Sequence, residues 1–287
     1  ARSTAPGDAD VVQATIAKLR WMVEGLAKRQ APAPDEETEK KLRAVIARIE
    51  SQPVPPVEPK KPEPRPAQGE WIDLMRPDVW KKVDDKWIVT DEVKLAPDAK
   101  DRADRALKAA KKDGGKIWVN GETGRLPNLI TKEAFGDCEI HVEYLIAKGS
   151  NAGVKFHEVY EIQIDDSYGK KELTGSNNGG IYPRADAKLG YLDKGVPRKV
   201  NASKPAGEWQ TLDAIWKSPR FNDKGEKIAD AVLVKATLNG EVIHENVAVK
   251  TPTGGNWQKK ETPTGSFMLQ CDHGPTAWRN VKIRPIK

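Results

Sequence analysis

The sequence predicts a mainly β protein, a sandwich or jelly roll, preceded by an N-terminal helical hairpin and a proline-rich linker. Three observations predict it. From residue 69 onward, short runs of β-branched and aromatic residues recur between Gly, Asn and Asp turns. No helical patterns alternate with these runs, which argues against a parallel α/β sheet. Asn239-Gly240, between two such runs, is a strong type I′ hairpin signal.

The elements follow in order. Over residues 9–28, Val12, Ile16, Leu19, Val23 and Leu26 recur at spacings of four, three, four and three, a narrow helical stripe. A second helix is predicted over residues 35–50, with Pro34 and Asp35 at its start and Leu42, Ile46 and Ile49 as its apolar face. Residues 31–34 (Ala-Pro-Ala-Pro) break the two. The pair packs on the main domain or on itself, or serves self-association. The following proline-dense run favours extended polyproline II and reads as a semi-rigid spacer. The expected organisation is therefore a helical segment over 1–52, a linker over 53–68 and a β domain over 69–287. Its strands are expected at residues 87–90, 116–120, 128–131, 138–146, 153–156, 160–164, 209–217, 231–238, 241–246, 266–270 and 281–283. A helical turn or short helix is expected within 101–111. Residues 166–205 lack periodicity, and a loop that long in a compact domain is usually functional or disordered.

Composition narrows the classes. A chain of 287 residues with 38% hydrophobic content and nine Trp can bury a sizeable core. The formal net charge is +6, from 48 Lys+Arg against 42 Asp+Glu, with the signs interspersed. A solubilised surface explains that better than a nucleic-acid partner, and none is expected. No apolar run approaches the roughly 20 residues of a membrane span, so no transmembrane segment is expected. The start at Ala1, without Met or a signal sequence, suits a mature exported protein, periplasmic or extracellular, with its signal peptide removed, or else a trimmed chain. Cys138 and Cys271 have no metal or redox spacing; they pair if their strands are neighbours, or remain buried thiols.

Alternation then assigns faces. Along 160–165, Tyr160, Ile162 and Ile164 point one way, and Glu161, Gln163 and Asp165 the other. Along 138–146, Cys138, Ile140, Val142 and Tyr144 oppose Glu139, His141 and Glu143. A third strand leads through Gln270 to Asp272-His273-Gly274. If the three share one sheet, their polar residues line a sugar-sized groove. A solvated strand face has the same pattern; the coincidence over three strands favours the groove.

Ser150-Asn151-Ala152-Gly153-Val154, Tyr160-Glu161-Ile162-Gln163-Ile164-Asp165-Asp166-Ser167, Gly180-Ile181-Tyr182, Lys204-Pro205-Ala206-Gly207-Glu208-Trp209, Leu238-Asn239-Gly240, Leu269-Gln270-Cys271-Asp272-His273-Gly274 and Trp278-Arg279-Asn280-Val281-Lys282-Ile283-Arg284-Pro285 stand in consistent order. Together they resemble the 3-keto-disaccharide hydrolase domain family from about residue 69 to 287. Two departures stand out: Cys271 is inserted into a Leu-Gln-Asp-His-Gly run, and Lys155-Phe156-His157 replaces a more typical Tyr/Phe-Arg-Gly.

The resemblance implies a concanavalin A-like jelly roll acting on a carbohydrate. It also implies cleavage of glycosides carrying a ketone at C3, by elimination across C1–C2 followed by hydration. That route needs a base at C2, an acid or polariser at the glycosidic oxygen and donors around the C3 oxygen. Glu161 is the first candidate base or acid, with Asp165 and Glu143 as second acid/base candidates or hydroxyl binders, and His273 as proton shuttle. Gln163 would hold a hydroxyl or the keto oxygen, Asn151 and Gln270 sugar hydroxyls, and Lys132 a developing enolate. Tyr182 and a Trp would stack on the sugar. No cofactor is required, although the carboxylates and His offer ligands to a divalent cation. A strand rise of about 3.4 Å puts Glu161 and Asp165 roughly 13.6 Å apart, against about 5.5 Å for a retaining pair. The amide Gln163 at the centre of Glu161-Ile-Gln163-Ile-Asp165 also departs from the Glu-x-Asp-x-Glu strand of laminarinase-type glucanases. The alternatives are a non-catalytic carbohydrate-binding module at the cell envelope and an assembly protein driven by the N-terminal helices.

Overall fold

A computed structural model describes residues 37, 40, 41, 44, 69–98, 100 and 106–286. The chain divides into two units, Ala1–Pro64 and Arg65–Lys287. Of the first, Glu37, Lys40, Lys41 and Ala44 are helical and exposed, and Glu37 pairs with Lys41 one turn on at 2.6 Å. The expected N-terminal helical hairpin, its self-association and the proline-rich linker otherwise lie outside the described residues, which contain no such hairpin. Among the described residues, no helix is long and apolar enough to cross a membrane.

The second unit is mainly β, as predicted. Its two main sheets use β1 (Ile72–Asp73), β2 (Ile88–Thr90), β3 (Ile117–Val119), β4 (Leu129–Phe135), β5 (Cys138–Ile146) and β6 (Asn151–Phe156). They continue with β7 (Tyr160–Asp165), β8 (Gln210–Lys217), β9 (Ala231–Leu238), β10 (Glu241–Val249), β11 (Gly265–His273) and β12 (Thr276–Pro285). One sheet has eight strands in the order β10-β9-β8-β5-β12-β3-β2, with β1 also beside β12. The other has four, β4-β11-β6-β7. All pairings within them are antiparallel. Asn239 and Gly240 join β9 to β10 with φ of 53° and 87°, both positive as the type I′ turn requires.

The alternation explains the sandwich. Cys138, Ile140, Val142 and Tyr144 on β5, with Leu212, Ala214 and Trp216 on β8, form the inner face of the larger sheet. Ala152, Val154 and Phe156, Tyr160, Ile162 and Ile164, and Phe267, Leu269 and Cys271 form the inner face of the smaller one. Phe156 stacks on Trp216 across the layers, centroids 4.6 Å apart. Each fully buried large side chain contributes about 1.5–3 kcal/mol relative to exposure.

Two expectations are corrected, and one alternative left open, for the cysteines, is decided. Strand β5 does not share a sheet with β7. Both strands direct their apolar residues into one core from opposite sides, so their polar residues leave on opposite outer faces. Residues 106–111 are not helical: Leu107–Lys108 pairs with Lys94–Leu95 in a small hairpin. Cys138 and Cys271 are buried free thiols on different sheets.

The long insertion is anchored. Ile181 bridges to Ile162 and to Val196, extending the smaller sheet past β7. Asn178, fully buried, accepts from the Tyr144 hydroxyl at 2.7 Å and donates to Ser203 Oγ and Gln210 Oε1 at 3.0 and 3.1 Å. Arg198, also buried, donates to the Asn178 carbonyl.

Candidate active site

A three-residue connection joins β6 to β7, with His157 and Glu158 at φ of 53° and 63°. That turn fixes the register, and the register builds three rows on the outer face of the smaller sheet. Lys155 lies opposite Glu161, with Met268 of β11 on its other side. Gly153 lies opposite Gln163 and beside Gln270. Asn151 lies opposite Asp165 and beside His273. Successive rows are about 6.8 Å apart.

The first row holds a buried ion pair. Lys155 Nζ is 3.0 Å from Glu161 Oε2, and the two residues are 8% and 4% exposed. Burial pushes the Glu161 carboxyl above its ordinary value; the Lys155 ammonium and His273 oppose that shift, and Asp272 adds to it. The second oxygen lies over Gly153, where an added Cβ would stand 2.4 Å from Glu161 Oε1. Glycine at 153 therefore makes room for the carboxylate. The Glu161 backbone is fixed from the side: its N–H donates to Thr253 Oγ1 and its carbonyl accepts from Tyr182 N–H, both at 3.0 Å.

The second row is short of partners. Gln163 Oε1 and Gln270 Oε1 are buried acceptors without a hydrogen bond, one on each side of Gly153. An unpaired buried acceptor costs about 1–3 kcal/mol, which a ligand hydroxyl relieves. In the third row, Asp165 accepts from Ser167 Oγ at 2.8 Å and faces Lys170 Nζ at 3.2 Å. His273 is exposed, and its Nδ1 lies 2.5 Å from Asp272 Oδ1.

Strand β11 carries a bulge at Cys271. Gln270 pairs with Gly153, yet His273, not Asp272, pairs with Asn151. One extra residue is looped into β11, Cys271 points into the core, and the His273–Asp272 pair stays at the site.

Tyr182 closes one side. Its hydroxyl meets that of Tyr191 at 3.0 Å, and Tyr191 stands half-exposed at the rim. Burial pushes the Tyr182 phenol up, followed by the Tyr191 bond and the negative charges of Glu161 and Asp165. An adjoining cleft of about 420 Å³ is walled by Ile181, Tyr182, Arg184, Val196, Lys250 and Thr253.

The structure thus brings together Glu161, Gln163, Asp165, Asn151, Gln270, His273 and Tyr182. It leaves out Glu143 and Lys132. Glu143 is on the outer face of the larger sheet, accepting from Arg279 Nε at 2.6 Å and Asn280 Nδ2 at 2.8 Å. Burial alone would raise its carboxyl, but those bonds hold it below its ordinary value. Lys132 is exposed on β4, three interstrand spacings from β7, on the order of 14 Å. Sequence reasoning missed Lys155, Thr253 and Tyr191. For Lys155 the signal existed: folding 151–156 back on 160–165 about Glu158 puts Lys155 opposite Glu161. Among the described residues no group of three or more His, Cys, Asp or Glu could hold a metal ion, so a divalent cation finds no ready ligand set there.

Comparison with known proteins places the whole β unit. A family described as the 3-keto-alpha-glucoside-1,2-lyase-like domain matches residues 70–284. No curated protein matches the sequence. Among solved structures, the chain is similar to a candidate glycosyl hydrolase from Parabacteroides distasonis ATCC 8503, at 21% identity over 83% of this chain and 95% of that one, with a TM-score of 0.51. It is similar to a second one from the same organism at 17% identity over 76% of this chain and 100% of that one, with a TM-score of 0.42. The first likeness establishes the fold alone.

Proposed function

This chain belongs to the 3-keto-alpha-glucoside-1,2-lyase-like family, and from that premise we propose that it cleaves glycosides or disaccharides already oxidised to a ketone at C3. The ketone acidifies the C2 proton. Glu161 removes it, the C1–O bond breaks by elimination, and His273 supplies a proton to the departing oxygen. Water then adds across the C1–C2 double bond, so the net result is hydrolysis.

One observation carries this reading: a buried carboxylate, Glu161, lies beside two buried amide oxygens, on Gln163 and Gln270, that have no protein partner. The carboxylate suits proton abstraction, and the amides suit sugar hydroxyls. Burial that raises the Glu161 carboxyl brings its basicity nearer to that of a working general base. Asn151 and Asp165 extend the hydroxyl-binding row, and Tyr182 with Tyr191 offers rings at the rim for stacking. Export to the periplasm or beyond is part of the same proposal.

The test is incubation with 3-keto-trehalose, a 3-keto-glucoside and their unoxidised parents, following released sugar by mass spectrometry. Cleavage of the keto forms alone, abolished by Glu161→Gln, is expected. Binding of the parents with no cleavage of any compound would sink the enzymatic reading and leave a carbohydrate-binding module.

A further inference from the structure

Resting on the reading above, we propose that Lys155 is a catalytic residue, the cation that takes the C3 oxygen as the enolate forms. The role that the sequence offered to Lys132 thereby passes to a lysine in contact with the base.

Distances make the case. The proton to be removed is on C2 and the oxygen that receives the charge is on C3, adjacent atoms of one ring. Base and cation must therefore sit side by side. Glu161 Oε2 and Lys155 Nζ are 3.0 Å apart. Lys132, three strands away, cannot reach an oxygen whose neighbouring carbon is in contact with Glu161.

The two oxygens of Glu161 divide the work. Oε2 is held by the ammonium, and Oε1 rests over the gap left by Gly153, between the two amide side chains. Oε1 is thus the proton acceptor. A lysine ammonium has three donors, and the described residues engage one. Of the two side chains, that of Lys155 keeps 11% exposure against 3% for Glu161, so the cation is the member turned toward the groove. Met268 lies beside it in register on β11 and is itself buried.

The step balances. Glu161 Oε1 takes the C2 proton, the C–H pair becomes the C2–C3 double bond, and the C3 oxygen gains the negative charge against Lys155. That charge then returns to re-form C3=O as C1–C2 becomes double and the C1–O pair leaves with a proton from His273. No oxidant or reductant enters.

The test separates proton removal from bond cleavage. 3-Keto-1,5-anhydroglucitol carries no aglycone at C1, so exchange of its C2 proton in deuterium oxide reports enolisation without glycosidic cleavage. Lys155→Gln retains a donor to Glu161, Lys155→Arg retains the charge, and thermal melting confirms that each is folded. Lys155→Gln is expected to slow both exchange and cleavage of a 3-keto-glucoside by about 100-fold or more, the range for loss of one oxyanion donor. KM should change by no more than a few-fold, and Lys155→Arg should recover part of the loss. A folded Lys155→Gln protein exchanging within threefold of wild type would overturn the assignment of Lys155 alone. A wild-type protein that neither exchanges nor cleaves would overturn the functional reading itself.

Discussion

Replacing Gly153 by Ala tests the geometry of the site at one methyl group. The added Cβ would stand 2.4 Å from Glu161 Oε1 and 3.2 Å from its Cδ and Cγ. Ordinary contact begins near 3.4 Å, so the carboxylate must withdraw by 3.4 − 2.4 = 1.0 Å. It cannot do so and keep both the Lys155 contact and its place beside Gln163 and Gln270. A displacement of 1 Å costs on the order of 100-fold in rate, or about 2.7 kcal/mol of barrier. Overpacking a buried site costs roughly 1–3 kcal/mol of stability, which for a unit of this size lowers the melting temperature by about 2–12 °C. Steady-state turnover of a 3-keto-glucoside and a thermal melt measure the two effects. Gly136→Ala is the control, since its new Cβ would meet nothing nearer than 3.6 Å and lies in the β4–β5 turn. Wild-type turnover and melting in Gly153→Ala would refute the placement of Glu161 over Gly153.

Two further outcomes are expected. His157, 7% exposed, is bonded through Nε2 to Ser218 Oγ at 3.0 Å, and burial lowers its pKa from 6.5 to about 4. Between those values the unfolded chain binds the proton and the folded one does not, so stability is full above pH 6.5 and falls toward pH 4, by roughly 3 kcal/mol from this residue. Denaturant titrations at both pH values should show that His157→Gln shrinks the difference; an unchanged difference would exonerate His157. Asn178→Ala strips partners from Tyr144, Ser203 and Gln210 at once, a loss of roughly 3 kcal/mol from buried groups left unpaired. Limited proteolysis should then cut within residues 166–205, and an unaltered digestion pattern would show that Asn178 does not anchor the insertion.

Strands were legible because their cause is local. The alternation of Tyr160, Ile162 and Ile164 with Glu161, Gln163 and Asp165 carries the face assignment by itself, and the bounds of β5 match those expected. Which strands lie together is not local. Glu143 and Glu161 have the same alternating context, and only the topology puts them on opposite outer faces. Lys132 failed for the same reason: its distance from Glu161 depends on how many strands intervene. Leu107 and Lys108 read as helical because nothing nearby announces Lys94 and Leu95 as pairing partners. Lys155, by contrast, follows from a hairpin whose two strands and connection were already in hand.

The bulge at Cys271 has a consequence for how this chain tolerates insertions. Strand side chains have a phase of two, and an extra residue ordinarily inverts everything beyond it. Without Cys271, regular pairing from Gln270–Gly153 would put Asp272 inside the core and His273 opposite Asn151. With it, His273 is opposite Asn151 all the same, because the slip is confined to Cys271 and Asp272. The thiol occupies the inward position that the acid would otherwise take, and the acid is released to hold the imidazole. The bulge thus holds the histidine opposite Asn151 with a sulfur, and not a charge, in the core.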